Sequence, residues 1–359
     1  MSTIAAIFFC LGAADYLLKN RFGLGEAFKE GLDAIIELLL LMTGFIALAP
    51  WLNEVAAPVI SPFFKAIGCD PSLFAGMLLS CDSGAGVLAQ AMALDADAGL
   101  FNGMVVGGFL GINIMITIPL VLENAKGAQK KAAVRGLLMG FPILPVGCVI
   151  TGLLAGIPVS IILHNTWPVL CLSLILLLLF KVCGDGILTF FQVLSFLIRA
   201  LAMFGFAVAV IQEFLGISIL NHITPLEEIF PTVCHIGVFL AGILPFMALV
   251  RKILTKPLQL LGDKLQINQT SVMGFIISAA NPIPVMLSCE KLDERGCYYN
   301  VAFLTPACFA AGDFLAFSMQ FYPPIAIPLM VGKLISGLLA LVVAVLTDRK
   351  KEKVVTARG

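Results

Sequence analysis

Several polar residues stand inside apolar sequence, where neither a soluble core nor a lipid-facing helix would place them. Asp82 lies in Ser80-Cys81-Asp82-Ser83-Gly84, and Asn281 in Asn281-Pro282-Ile283-Pro284. Asp313 lies in Ala311-Gly312-Asp313-Phe314, Lys333 in Val331-Gly332-Lys333-Leu334, and Asn113 interrupts a further apolar run. An ionisable group at the centre of a bilayer costs roughly 2.5–3.5 kcal/mol on insertion scales, so such residues usually face a cavity and act there. A carboxylate such as Asp82, flanked by Ser80, can supply an anionic end for a cation. It can equally cap a broken helix, and the two roles can coexist. The Asn281 amide both donates and accepts. Pro282 and Pro284 deprive nearby carbonyls of helical partners, which suits a cation or a hydroxyl but also fits a simple helix break. Asp313 and Lys333 each lie roughly ten residues from the Tyr322-Pro323-Pro324 turn, or about 15 Å deep at 1.5 Å per residue. A buried ion pair between them is therefore expected, either structural or opened by a substrate ammonium.

These groups need a bilayer around them, and the composition supplies one. Of 359 residues, 60% are hydrophobic and 12% charged, against about 45–50% and 25% in an ordinary soluble domain. The mean hydropathy is +1.04. Net charge is zero, so no basic surface suggests nucleic acid. The ten cysteines are scattered, without CxxC or a Cys/His pair at metal spacing, and read as small apolar fillers. Cys81, inside a polar motif, is the one to watch. No cofactor or metal is expected. Met1 to Phe9 carries no positive charge and Asp15 interrupts any cleavage region, so the first segment reads as a retained helix rather than a signal peptide.

A bilayer-crossing helix needs about 20 mainly apolar residues. Spans are predicted near 3–18, 31–51, 98–122, 133–156, 166–182, 197–215, 229–250, 297–320 and 324–346, the first and fifth being short. Two apolar stretches, 71–93 and 270–289, are broken at their centres by the Asp82 and Asn281 motifs. Each reads as a re-entrant hairpin, a backbone that survives only where protein or a watery cavity satisfies it. With both hairpins re-entrant, Lys19, Arg21, Lys29, Lys126, Lys130, Lys131, Arg135, Lys181, Arg251, Lys252, Lys291, Arg295 and the basic tail fall on one side. The other side keeps Lys65 among acids such as Glu54, Asp70, Glu227 and Glu228. The positive-inside rule then places the N-terminus outside and the C-terminus in the cytoplasm.

The two broken segments align at an offset of about 198 residues: Gly76 on Gly274, Ser80 on Ser278, Leu94-Asp95 on Leu292-Asp293, Asn102 on Asn300. Small gaps bring Asp82 over Asn281 and Asn113 over Asp313. Pro62 and Pro257 stand in similar lead-ins before the hairpins. The fold class expected is an all-α polytopic membrane protein of about nine transmembrane helices plus two re-entrant hairpins, arranged as an inverted repeat. Residues 1–160 form the first copy, 161–185 a linking helix, 186–347 the second copy and 348–359 a basic tail. Transporters built this way bind substrate at the midplane where the copies meet. The candidate substrate residues are Asp82, Asn281, Asp313, Asn113, Ser80, Ser278 and Lys333. Asp33, Glu37 and Arg199 are charges without an assigned role, and His235 reads as a hydrogen-bonded core histidine.

Several blocks together resemble the ethanolamine-utilisation transporter family, EutH. They are Ala47-Leu48-Ala49-Pro50, then Pro71-Ser72-Leu73-Phe74-Ala75-Gly76 running into Cys81-Asp82, then Asn281 with Ile283-Pro284, Gly312-Asp313, and Val331-Gly332-Lys333-Leu334-Ile335. The resemblance spans most of the chain. It implies a bacterial inner-membrane carrier, not an enzyme, that admits ethanolamine as a nitrogen and carbon source. The binding residues come from the physical reading: a carboxylate for the ammonium, amides or carbonyls for the hydroxyl. Two other readings remain. One is a secondary transporter for another small amine or solute, since fold does not choose cargo. The other is an intramembrane aspartyl protease using Gly312-Asp313 with Asp82, although the repeat sets Asp313 opposite Asn113 instead. The partners expected are the small-molecule substrate and the lipid bilayer. Small-residue runs such as Gly103 to Gly111 permit close packing within the fold or in a homo-oligomer.

Overall fold

The structure is a computed structural model that describes residues 1–182 and 186–356. The side chains of Glu37, Lys181, Leu188, Leu258 and residues 350–356 lie outside the described set, and with them the expectations placed on Glu37, Lys181 and the end of the basic tail. The described residues are mainly helical, and no strand occurs among them. In chain order the helices are α1 (Ser2–Leu17), α2 (Gly25–Ala66), α3 (Leu73–Leu78), α4 (Gly86–Met92) and α5 (Ala96–Asn124). There follow α6 (Gly127–Gly140), α7 (Ile143–Leu154), α8 (Val159–Val182), α9 (Gly186–Leu215) and α10 (Leu226–Leu265). The last are α11 (Gln269–Ala280), α12 (Ile283–Leu287), α13 (Glu294–Ala307), α14 (Asp313–Phe321) and α15 (Pro323–Thr356).

Six of these, α2, α5, α8, α9, α10 and α15, are long and apolar enough to cross a bilayer; α6 and α7, bent by 44° at their junction, would make a seventh. This is a multi-pass membrane protein. The segment predicted at 3–18 is the 16-residue α1. The one predicted at 297–320 is not continuous: it is α13 and α14, separated by an unwound stretch at 308–312. Pro306 contributes to that break, because its ring cannot donate to the helical ladder. The predicted lead-ins also differ. They continue α2 and α10 unbroken, giving helices of 42 and 40 residues with three internal prolines each. At 1.5 Å per residue these are about 60 Å long, twice the hydrocarbon thickness of about 30 Å.

α5 is the central pole, almost wholly buried. Its turns are widened to π-helical from Phe101 to Gly111 and from Asn113 to Thr117, a geometry that is rare and tends to mark functional sites. Its small residues let the first hairpin approach. A Cβ on Gly111 would sit 1.9 Å from the Leu79 carbonyl oxygen.

The two segments expected as hairpins are helix–break–helix units, α3–α4 and α11–α12. Their bases are held at opposite ends of α5. At the Ala96 end, the Asp70 carboxylate accepts from the amides of Ser72 (2.9 Å), Leu94 (3.0 Å) and Asp95 (3.3 Å). Asn102 donates to Ser72 Oγ (2.9 Å) and Asn165 Oδ1 (3.0 Å). At the Asn124 end, Asp293 accepts from the Asn268 amide (2.9 Å), Ser271 Oγ (2.7 Å) and the Gly296 amide (3.0 Å). Asn300 donates to the carbonyls of Ser271 (2.7 Å) and Gly296 (2.9 Å), and the Cys289 thiol reaches the Asn124 carbonyl.

Positions 198 residues apart make similar close approaches. A Cβ on Gly76 would strike the Asn102 carbonyl at 2.0 Å, and one on Gly274 would strike Asn300 Oδ1 at 2.2 Å. Gly44 of α2 abuts Ala202 of α9, while Gly242 of α10, 198 positions later, abuts Ala5 of α1.

Candidate functional site

The tip of the first hairpin runs from Leu79 to Ala85. Leu79 and Ser80 are extended, and Gly84 has φ +119°. A β-carbon at Gly84 would lie 2.6 Å from the Phe45 ring as well as straining that backbone, so glycine is required twice over. The break turns Asp82 inward, where it is buried. Its Oδ1 accepts from the Ser80 hydroxyl and from Ser83 Oγ at 3.1 Å. Asp82 and Ser80 thus form one unit, as their spacing predicts.

The second tip is built by Asn281, whose Oδ1 accepts from the Ile283 amide at 2.9 Å and so starts α12. Its arm Ser278–Ala280 runs beside the unwound stretch 308–312. Phe309 donates to the Ser278 carbonyl (3.3 Å) and Ala311 to the Ala279 carbonyl (2.8 Å). These bonds replace the helical ones given up between α13 and α14. A Cβ on Gly312 would lie 2.1 Å from the Ala280 carbonyl oxygen. Phe309 adopts φ +57°, a conformation that costs a bulky residue on the order of 1–3 kcal/mol and persists only where its surroundings impose it. The first hairpin meets the helix that follows this stretch, with Gly86 at the start of α4 against the Phe317 ring of α14. Both hairpins therefore have a contact within Cys308–Phe317.

The Lys333 side chain is fully buried. The predicted ion pair with Asp313 is not formed. The ammonium donates to the Gly108 carbonyl of α5 and lies 4.8 Å from the Phe109 ring centroid and 4.9 Å from that of Phe314. The cause is the break at 308–312, which makes Asp313 the first residue of α14, half-buried, rather than a mid-helix residue facing α15. Asp82, Cys81, Cys148 and Cys308 are among the titratable groups near Lys333. Asn113 donates to the carbonyls of Phe109 (2.6 Å) and Thr305 (2.7 Å), which ties α5 to α13. Its Oδ1 and the Ser278 hydroxyl are buried and make no hydrogen bond to the described protein.

Asp82, Ser80 and Lys333 thus gather beside the break, with Ser278 and Asn113 on segments that adjoin it. Asn281 instead looks into an open cavity of about 380 Å³ between α2, α10 and the second hairpin. Glu26, Glu30 and Arg251 supply its charged walls. Among the described residues no group of three His, Cys, Asp or Glu side chains is arranged to hold a metal. Phe109, Phe314, Gly108 and the cavity residues Glu26, Glu30 and Arg251 were not among the sequence candidates. Only the Gly107-Gly108-Phe109 run, one turn before Asn113, hinted at a special surface.

No solved structure matches this chain. The sequence is 35% identical to the "Probable ethanolamine permease EutH" of Listeria monocytogenes over 342 residues, covering 95% of this chain and 92% of that protein. It is 33% identical to the Escherichia coli protein of the same name, covering 94% and 89%. It is also 35% identical to "Uncharacterized protein YxeR" of Bacillus subtilis, covering 94% and 91%. The family model described as "Ethanolamine utilisation protein, EutH" matches residues 1–347, so the chain belongs to the EutH family.

Proposed function

We propose that this chain is an inner-membrane carrier for ethanolamine, with its N-terminus outside and C-terminus in the cytoplasm. The substrate binds between the two hairpin tips, which belong to inverted halves. The observation that carries this reading is the break at 308–312, which bonds to the second hairpin while the first hairpin packs on Phe317 of the helix that follows it. Irregular backbone at membrane depth is tolerated where it lines a cavity, and broken elements between inverted repeats are where transporters bind. The permease names of the relatives support the cargo. The matched contacts of Gly76 with Asn102 and of Gly274 with Asn300 support the repeat.

Protonated ethanolamine offers an ammonium and one hydroxyl. Asp82, held by Ser80 and Ser83, takes the ammonium. The unpartnered Asn113 Oδ1 and Ser278 hydroxyl suit the substrate hydroxyl. Asp313 lines the approach at the start of α14. Asn281 and its cavity form the cytoplasmic mouth, where Glu26 and Glu30 favour a cation.

The test is uptake of labelled ethanolamine into liposomes holding the purified protein, with a panel of unlabelled amines as competitors. Asp82→Asn removes a charge-assisted bond of about 1.5–3 kcal/mol, so initial uptake falls about 10- to 100-fold. Full-rate uptake by a correctly inserted Asp82→Asn protein removes Asp82 from the site. Uptake no faster than in protein-free vesicles removes the carrier.

A further inference from the structure

A groove of about 490 Å³ lies where α1 runs beside α10. The two helices are parallel: Gly242 meets Ala5, Pro245 faces Gly12, and Lys252 reaches the Phe22 carbonyl. Along the groove both read apolar first and cationic last. Leu11, Ala14 and Leu18 precede Arg21 on one side, and Leu249 precedes Lys252 on the other. Leu11 to Leu18 covers about 10 Å at 1.5 Å per residue.

The cationic end is a fixed turn. Asn20 donates its amide to the Asp15 carbonyl at 2.8 Å. The Asp15 carboxylate accepts from the amides of Phe22 (2.9 Å), Leu24 (2.7 Å) and Gly25 (2.9 Å). Lys19, Asn20 and Gly23 take left-handed backbone angles, with φ of 60°, 58° and 73°. The acid of the groove is thus turned to backbone amides, while its two cations keep donors to spare. Lys252 has three N–H donors, of which the Phe22 carbonyl takes one. Arg21 is exposed and makes no hydrogen bond or ion pair among the described residues. Its planar fork suits two oxygens of one phosphate. The flanking sequence adds Lys19, Lys29, Arg251 and Lys256 against Glu26, Glu30 and Asp33, so this end keeps a positive excess.

An apolar trough ending in two cations matches a molecule built in the same order, a hydrocarbon chain ending in a phosphate. Basic pockets between membrane helices bind anionic headgroups. We infer that this groove holds one anionic phospholipid. Its phosphate lies between Arg21 and Lys252, and one acyl chain runs along Leu11, Leu18 and Leu249. The lipid joins α1, which is 16 residues long, to α10. The groove shares no lining residue with the site proposed for the substrate, so the inference holds whatever the cargo.

The experiment titrates the full-length protein, in a neutral detergent, with phosphatidylglycerol or with phosphatidylcholine of the same acyl chains. Bound lipid is counted by native mass spectrometry. Wild type is expected to retain one phosphatidylglycerol and to release phosphatidylcholine. Arg21→Gln combined with Lys252→Gln is expected to bind phosphatidylglycerol about 30-fold more weakly. Ala14→Trp fills the trough at an exposed position and is expected to weaken binding several-fold with both cations in place. Lys126→Gln combined with Lys291→Gln removes equal charge from exposed positions outside the groove and is expected to leave the affinity unchanged. Equal retention of the two lipids by wild type overturns the inference even if no variant folds. A loss in the Lys126 and Lys291 protein as large as in the Arg21 and Lys252 protein overturns it too, because the attraction would then be general. Displacement of the lipid by an equal concentration of glycerol phosphate would give the cations to a soluble anion instead. Dimers that vanish in Ala14→Trp, with no lipid retained by wild type, would give the groove to a second copy of the chain.

Discussion

At Gly312 the space available for one methyl group governs the meeting of hairpin and broken helix. A Cβ there would lie 2.1 Å from the Ala280 carbonyl oxygen, a backbone atom that cannot swing aside. Gly312→Ala must therefore push α14 off the second hairpin. Overpacking of this kind costs about 1–3 kcal/mol, and it should appear as a lower melting midpoint of the solubilised protein together with slower uptake. Ala311→Gly, which adds no volume, should lose only about 0.5–1 kcal/mol of backbone rigidity. Equal effects of the two would show that the contact does not matter. This scale also separates what the sequence could reveal from what it could not. Asp82, Asn113 and Lys333 were legible because a polar group among apolar ones has few reasons to be there. Phe109 and Phe314 were not, because they are two of 27 phenylalanines and only their position around Lys333 distinguishes them. The depth of Asp313 and Lys333 was also readable, but their pairing was not, since five unwound residues re-aim one of them.

At the scale of elements, each hairpin is too short to be stable alone and depends on the asparagine at its base. Asn102 and Asn300 are fully buried, and each gives one amide hydrogen to a hairpin base, at Ser72 and at Ser271, and the other to Asn165 and to Gly296. Replacing either by alanine leaves buried acceptors unpaired, at about 1–3 kcal/mol. Hydrogen exchange should quicken in residues 71–93 for Asn102→Ala and in 270–289 for Asn300→Ala, each leaving the other hairpin protected. Exchange that rises across the whole chain in both variants would mean that the asparagines stabilise the fold generally and anchor neither hairpin. The breaks in these two segments could be read from the chain, because glycine, proline and asparagine at the centre of an apolar run interrupt a helix. The break between α13 and α14 could not. Pro306 and Gly312 flank it, yet Cys308-Phe309-Ala310-Ala311 has nothing against continuing as helix. The helix opens there because the second hairpin's carbonyls offer replacement bonds, a tertiary effect with no local signature.

For the whole molecule, the question is whether its two ends of polar contact face different solutions. Glu54, His164 and Ser218 are exposed, and Glu54 bonds to His222 at 3.1 Å. Asp70, which holds the first hairpin's base, accepts nothing from the opposite end but is joined to Asn165 at 3.1 Å, one residue from His164. At the other end, Lys252 reaches the Phe22 carbonyl, Gln129 the Leu292 carbonyl at 3.4 Å, and Asp348 meets Arg135 at 3.1 Å and Arg295 at 3.0 Å. In the proposed orientation this second end, with its surplus of Lys and Arg, faces the cytoplasm, as the positive-inside rule favours. Single cysteines placed at Glu54, His164 and Ser218 should then react in intact cells with a thiol reagent that cannot cross the membrane. Cysteines at Lys126 and Lys291, both exposed, should react only after the membrane is opened. Labelling at Lys126 from outside would mean that the first hairpin traverses the bilayer, because an added crossing between Lys65 and Lys126 reverses the side of everything after it. Both hairpins would then open to the same solution, and a carrier that alternates between two sides would lose its structural basis.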